Sequence, residues 1–167
     1  MRYIGLLSDT HCFIDDKLRK FLDPVDEIWH AGDFGNLEAL EELEKLGKPV
    51  KGVYGNCDGA DIRERVPYIQ IMQVEKMKVL MMHIGGYPGR YDYRALQLIE
   101  AHRPNVFICG HSHILKVIND KRRDMMTINP GAAGIYGWHK VRTAVRFHIE
   151  GDKLVDMEVG EWQKSDR

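Results

Sequence analysis

The chain has 167 residues, 44% of them hydrophobic and 29% charged, enough for one domain with a buried core. Its 24 Lys and Arg against 25 Asp and Glu give a net charge of −1, which does not suggest a general nucleic-acid or membrane-surface binder. No run approaches the ~20 apolar residues that span a bilayer. The opening run lacks the apolar core and cleavage site of a signal peptide, so the cytoplasm is the expected compartment. The three cysteines, Cys12, Cys57 and Cys109, are odd in number and widely spaced, which argues against a disulfide framework or a CxxC zinc site. Each is expected to be a small apolar filler beside a strand end.

In chain order, residues 3–7 form a short apolar strand that ends at Ser8-Asp9. Ile14, Leu18, Phe21 and Leu22 repeat at helical spacing. Residues 27–31 predict a second strand. Asn36 can cap a helix to Leu46, with Gly47 as its stop and Pro49 beyond. Residues 50–54 predict a third strand. The middle changes character: residues 68–74 and 77–83 flank Glu75-Lys76 as a hairpin. Asp92 can cap a helix that Pro104 ends. Residues 106–109 form a short strand. Two more hairpins follow, residues 114–119 with 125–128 and residues 143–149 with 153–159, the last turning at Glu150-Gly151-Asp152. An α/β half thus runs into a β-rich half without a linker. The expected fold is α/β (α+β), one domain over residues 1–167 with two sheets and helices packed outside.

Five predicted strand ends present a metal-competent side chain. They are Asp9-Thr10-His11, Gly32-Asp33, Gly55-Asn56, His83 and Gly110-His111-Ser112-His113. Carboxyl ends of parallel strands are where α/β sheets bind ligands. The glycines at 32, 55 and 110 are expected to let the chain turn sharply beside the ligand. In extended chain, residues i and i+2 share a side, which would pair Asp9 with His11 and His111 with His113. Seven donors of mixed oxygen and nitrogen type are too many for one ordinary site. They suffice for two metals if one carboxylate bridges, and Asp33, between the two sets in chain order, is the natural bridge.

These five motifs, in this order, resemble the signature of the calcineurin-like metallophosphoesterase superfamily over residues 1 to about 134, including Asn129-Pro130-Gly131. Gly55-Asn56-Cys57-Asp58 and the short length look most like the small phosphodiesterase subfamily that also contains the retromer subunit VPS29. The resemblance implies a β-sandwich flanked by helices. It implies one metal on Asp9, His11, Asp33 and His113 and a second on Asp33, Asn56, His83 and His111. Such ions sit ~3.5–4 Å apart, clamp a phosphoryl group and lower the pKa of a bridging water. With a bridging hydroxide the local charge would be about +1, attractive to a phosphate ester. The ligand mix suits Mn²⁺, Fe²⁺, Co²⁺, Ni²⁺ or Zn²⁺ better than Mg²⁺, and Mn²⁺ is the expected ion.

The sequence departs from the superfamily pattern in two places. Where many members carry a proton-donating His after the Asn, this chain has Cys57, with Asp58 as the neighbouring alternative acid. After His83 comes Ile84-Gly85-Gly86-Tyr87-Pro88-Gly89-Arg90, a loop that could fold over the site with Arg90 gripping a phosphate. The expected catalytic residues are therefore Asp33, Asn56, His83 and Asp58, with Asn56 and Arg90 on substrate. His30 is either a partner to the ligands or a satisfied buried histidine. His102 suits a helix C-terminus, and His139 and His148 are expected to be structural. The leading function is a metal-dependent phosphodiesterase acting on a small diester. The alternatives are a VPS29-like metal-bound scaffold with weak or no activity, and a phosphomonoesterase. No membrane or general nucleic-acid partner is expected, and homo-oligomerisation is left open.

Overall fold

Strand β1 (Arg2–Leu7) is buried on both faces after Tyr3, and its alternation sends Ile4 and Leu6 one way and Gly5 and Leu7 the other. The computed structural model describes residues 1–165. After β1 come α1 (Asp16–Leu22), β2 (Glu27–His30), α2 (Leu37–Glu44), β3 (Val50–Gly52) and the single-turn α3 (Ala60–Arg63). The β4–β5 hairpin (Ile69–Val74, Met77–Met82) follows, then a small ribbon of β6 (Gly86–Tyr87) and β7 (Arg90–Tyr91), and α4 (Tyr93–His102). The chain closes with β8 (Val106–Ile108), β9 (Leu115–Asp120), β10 (Met125–Pro130), β11 (Val141–Glu150) and β12 (Lys153–Gln163).

The expected caps are present. The Asn36 side chain accepts from Ala39 N–H at 2.9 Å, and Asp92 accepts from Arg94 N–H at 2.9 Å. Asp15 caps α1 through Leu18 N–H at 3.1 Å.

Two five-stranded sheets form, in the orders β12-β11-β1-β2-β3 and β4-β5-β8-β10-β9. Each has three adjacent parallel strands: β1, β2 and β3, running to one edge of the first, and β5, β8 and β10, at the centre of the second. The inner core interleaves Ile4, Leu6 and Trp29 of the first sheet with Val79, Met81 and Ile108 of the second. Outside the first sheet, Leu18 and Leu22 of α1 and Leu40 and Leu43 of α2 pack on Leu7 and Ile28. Outside the second, Ala95 and Ile99 of α4 pack on Leu80 and Phe107. The result is a mixed α/β architecture of two main sheets flanked by helices. Among the described residues, no helix is long and apolar enough to cross a membrane.

Three features were not legible in the sequence. One is the turn α3. Another is the β6–β7 ribbon, which replaces a plain loop. The third is the pairing of β10: its hairpin with β9 was expected, but β10 also lies parallel to β8, so a sixth parallel strand points at the same rim.

Arg142 on β11 ties this rim to α1. Its side chain is fully buried, its guanidinium is forked by both Asp15 oxygens at 2.9 Å, and its Nε donates to Ala133 O at 2.8 Å. Burial opposes the charge on Asp15, but the Arg142 hydrogen bonds outweigh it and hold the carboxyl below its usual range. Asp15→Ala strands a buried cation, so urea unfolding at pH 7 is expected to show a loss of about 3–5 kcal/mol. The folded pKa is depressed, so the ion pair contributes fully above the unfolded value of about 3.9 and is lost as pH falls through the folded value. The gap between wild type and variant should accordingly narrow below about pH 4.

Candidate metal centre

The carboxyl ends of the six parallel strands gather at one rim. Asp9 follows β1, Asp33 follows β2, Asn56 follows β3, His83 follows β5, His111 and His113 follow β8, and residues 131–140 follow β10. Three groups of side chains bring their donor atoms within 4.8 Å of one another: Asp9, His11 and His113; His11, Asp33 and Cys57; and Asp33, His83 and His111. Asn56 joins the last through its Oδ1, 3.1 Å from His111 Nδ1. All seven expected ligands therefore meet at the rim.

Each carboxylate keeps one oxygen for the scaffold and turns the other inward. Asp9 Oδ2 accepts from Ser8 O–H at 2.6 Å and His111 N–H at 3.0 Å. Asp9 Oδ1 is left 3.1 Å from His113 Nε2 and 3.6 Å from His11 Nε2. Asp33 Oδ1 accepts from Cys57 N–H at 2.8 Å, while its Oδ2 lies 3.1 Å from His83 Nε2 and 3.7 Å from His11 Nε2.

The histidines are aimed by their other nitrogen. His83 Nδ1 lies 2.7 Å from Ala31 O, so it carries the hydrogen and leaves Nε2 a bare lone pair. His139 Nε2 lies 2.8 Å from Gly134 O and must donate there. Its Nδ1 then accepts from His113 Nδ1–H at 3.2 Å, which again leaves an inward lone pair on Nε2. Asp9 Oδ1, His11 Nε2 and His83 Nε2 are buried without a hydrogen-bond partner. A convergent set of unpaired donors is unfavourable unless a cation lies among them, and the mix of carboxylate and imidazole fits a divalent transition metal.

The electrostatics agree. Burial works against the Asp9 and Asp33 charges, but the imidazoles of His11 and His113 beside Asp9, and of His83 beside Asp33, keep both carboxyls below their usual range. Burial likewise works against a charged His83, yet Asp33 and Asp9 overcome it and raise its pKa. His111 is pushed down by burial and by the nearby His83.

The backbone here is not the extended chain that the i, i+2 argument assumed. Asp9, His11, Asp33, His111 and His113 have φ of 54°, 44°, 60°, 72° and 64°. These left-handed turns send His111 and His113 to different groups instead of a common face. Of the three glycines expected to allow sharp turns, only Gly32 has positive φ, 104°. Gly55 and Gly110 are needed for closeness, because a Cβ on them would strike the Asp33 carboxylate and the Ser8 hydroxyl.

Asp58 does not present a free acid. Its Oδ2 accepts from Asp33 N–H at 2.9 Å and Gly55 N–H at 2.8 Å, and its Oδ1 accepts from Gly35 N–H at 3.0 Å. The carboxylate is buried and accepts three backbone N–H groups, which bind the Asp33 and Asn56 turns together; the expectation of a free proton donor is corrected. His30 is fully buried and satisfied. Its Nδ1 accepts from Gly32 N–H at 3.1 Å and its Nε2 meets Thr10 Oγ1 at 3.0 Å, with burial pushing its pKa down to about 3. Cys12 and Cys57 are exposed at the rim instead of acting as fillers, and only Cys109 is buried. His139 is the residue that sequence reasoning missed, since no motif surrounds it. Arg90 is exposed and lines a cleft that also includes His111.

The family model described as the calcineurin-like phosphoesterase superfamily domain matches residues 1–152. The chain belongs to that superfamily. It is 27% identical over 144 residues to a phosphodiesterase of Methanocaldococcus jannaschii, covering 77% of this chain and 82% of that protein. A solved structure titled as a novel archaeal phosphodiesterase matches with a TM-score of 0.72 at 24% identity, over 94% of this chain and 99% of that one. Vps29 of Entamoeba histolytica, solved with zinc, matches with a TM-score of 0.74 at 17% identity, over 98% of this chain and 99% of that one. At these identities the solved structures share the fold.

Left-handed φ disfavours any side chain with a Cβ by about 1–2 kcal/mol per residue. His111 is exposed and has φ 72°, so its loss leaves little packing to confuse the comparison. In chelator-treated protein, His111→Gly is expected to melt above His111→Ala, by about 1 kcal/mol in thermal unfolding. Equal stability would mean that the rim backbone is not strained.

Proposed function

We propose that this chain is a metal-dependent phosphodiesterase with two divalent ions at the rim, held by Asp9, His11, Asp33 and His113 on one side and by Asp33, Asn56, His83 and His111 on the other. The observation that carries the proposal is the trio of buried, unpartnered atoms, Asp9 Oδ1, His11 Nε2 and His83 Nε2, turned toward one another. Family membership and the phosphodiesterase relative support it. When bound, such ions supply Lewis acidity toward phosphoryl oxygens and a water that ionises near neutral pH.

The chain's own residues do the rest. Asp9 and Asp33 offset the positive charge with one inward oxygen each. Ala31 O and His139 fix which nitrogen His83 and His113 turn inward. Asn56 is exposed and can face both a metal and a phosphoryl oxygen. In the hydrolysis, the oxygen of water bonds to phosphorus while the bond to one ester oxygen breaks, and that oxygen takes up a proton. Manganese is the proposed ion, with zinc, iron, cobalt and nickel compatible with the donors. Three free cysteines, two of them exposed, fit the reducing conditions of a cytoplasm.

A scaffold function is the second reading, drawn from the likeness to Vps29, a likeness of fold. A metal-by-substrate activity matrix on stripped and reloaded protein separates the two. Hydrolysis of an aryl phosphodiester that depends on metal is expected, and its absence with every metal would favour the scaffold. In the same preparation Asp33→Asn is expected to lose both metals and all activity, while Asn56→Ala loses one metal. Loss of a single equivalent in both variants would remove Asp33 from the bridging position.

No side chain at the rim is well suited to protonate the leaving oxygen. Asp58 is buried and engaged by three backbone N–H groups, and burial and the nearby Asp33 push the Cys57 thiol pKa up. General-acid help is worth roughly 10²–10⁴-fold. Without it, substrates with acidic leaving groups, such as nitrophenyl esters, should be strongly favoured over alkyl esters. The slope of log kcat against leaving-group pKa is expected to be steep in the wild type and shallower in Cys57→His. A flat slope in the wild type, with chemistry rate-limiting, would mean that another acid is present.

A further inference from the structure

Of the clefts that open at the rim, two share His111, and their linings differ in kind. One, of about 640 Å³, is walled by Tyr136 and Trp138 and opens onto His111 and His113. The other, of about 420 Å³, is lined by Tyr87, Arg90 and Lys116 and also opens onto His111. His111, Ser112 and Ile114 are common to both, so the clefts meet beside the donors. Both fall in the range of roughly 300–1,000 Å³ typical of small-molecule sites.

The aromatic side is built, although it is exposed. Trp138 is fully exposed and Tyr136 largely so, and the Tyr136 ring lies 5.0 Å from that of His11. Neighbouring residues hold the segment in place. Lys164 Nζ donates to Gly137 O at 2.7 Å, and His139 is fixed between Gly134 O and His113. A large aromatic side chain left in water on an anchored segment is a surface prepared for a planar ligand.

The other side is cationic. In the β6–β7 ribbon Tyr87 pairs with Arg90, and Lys116 Nζ sits 3.5 Å from the centroid of the Tyr87 ring. Asp92, the acid in this cleft, is turned to the N-terminus of α4, where it accepts from Arg94 N–H at 2.9 Å and Ala95 N–H at 3.3 Å. Among the described residues Arg90 and Lys116 have no carboxylate ion-pair partner, so the cleft offers two positive charges against the single carboxylate of Asp92.

A phosphodiester has two arms leaving one phosphorus, and here two unlike subsites leave one metal centre. We propose that the substrate is a nucleotidyl phosphodiester of dinucleotide size, with a nucleobase on one arm stacked against Tyr136 and Trp138 and a second phosphate on the other arm held by Arg90 and Lys116. This rests on the diesterase function proposed above. Only a few phosphates are gripped, which agrees with a net charge of −1.

The probes are diadenylate, its 5′-phosphorylated form, and the same pair with an abasic sugar in place of each adenine in turn, all assayed with the metal-loaded enzyme. Trp138→Leu is expected to collapse the KM ratio between base-bearing and abasic probes by ~10-fold. Lys116→Ala is expected to collapse the ratio between phosphorylated and unphosphorylated probes by a similar factor. A change in either variant that is uniform across all probes, or no change, overturns the assignment of that arm. Independently of turnover, adenosine 5′-monophosphate should quench the tryptophan fluorescence of chelator-treated protein saturably, and Trp138→Leu should abolish the quench. Quenching without hydrolysis of any diester would sink the diesterase function and leave the base subsite standing. Hydrolysis without discrimination or quenching would sink the subsites and leave the diesterase function standing.

Discussion

Two carboxylates buried at one rim set the terms for the rest of the molecule. Asp9 is 0% exposed and Asp33 2%, and both turn an oxygen toward the same group of imidazoles. Burial alone would neutralise them. They stay charged because the scaffold spends backbone N–H groups and a hydroxyl on their outer oxygens and aims histidines at their inner ones. In the absence of a cation, protons take up part of that role, which is why His83 is raised despite its burial. A cation placed among these groups would compete with protons for the same atoms, so its affinity would weaken on the acid side.

The same constraint explains where strain is stored. Five of the seven donor residues sit in left-handed backbone, a conformation that glycine would adopt without penalty. Glycine has no donor atom, so the chain keeps the strained residue and stabilises the turn from outside. Asp58 clamps the Asp33 and Asn56 turns. Asn129 donates to Gly110 O and Ser112 Oγ at 3.0 Å and so clamps the turn that carries His111 and His113. Arg142, paired with Asp15, holds the carbonyl of Ala133, whose N–H donates to Ser8 O beside Asp9. The positions of these buried polar groups follow from the cost of bending a donor residue the wrong way.

Much of the site was legible because each donor stands at a strand end, often beside a glycine, in a pattern that survives without tertiary information. The caps at Asn36 and Asp92 were legible for a similar reason, since an N-cap is a local bond. What escaped was set by contacts between distant segments. His139 looks idle in the sequence because its partner, His113, lies in another strand connection. Lys116 looks like an ordinary strand cation until β9 places it over Tyr87. Asp58 read as an acid because it adjoins Cys57, where many members carry a His, and only the fold shows its oxygens engaged by three backbone N–H groups. The spacing argument failed at His111 and His113 because alternation holds for extended chain, and this chain turns.

The unrecognised parallel pairing of β10 has the widest consequence. Read only as the partner of β9, it ends at a turn with no function. Paired parallel to β8, it delivers residues 131–140 to the metal rim as the counterpart, in the second sheet, of the segments after β1, β2 and β3. The two parallel triplets then play different parts. The first sheet supplies the carboxylates, His11 and the amide, while the second supplies His83, His111 and His113 together with both cleft walls. This division bears on the comparison with Vps29. A shared sandwich carries no commitment to catalysis. The donors at the rim determine whether a metal can be held, and the segments after β5 and β10 determine what can reach it. Chains that share the sandwich can therefore differ in function through the side chains on those segments, with no change to the core between the sheets.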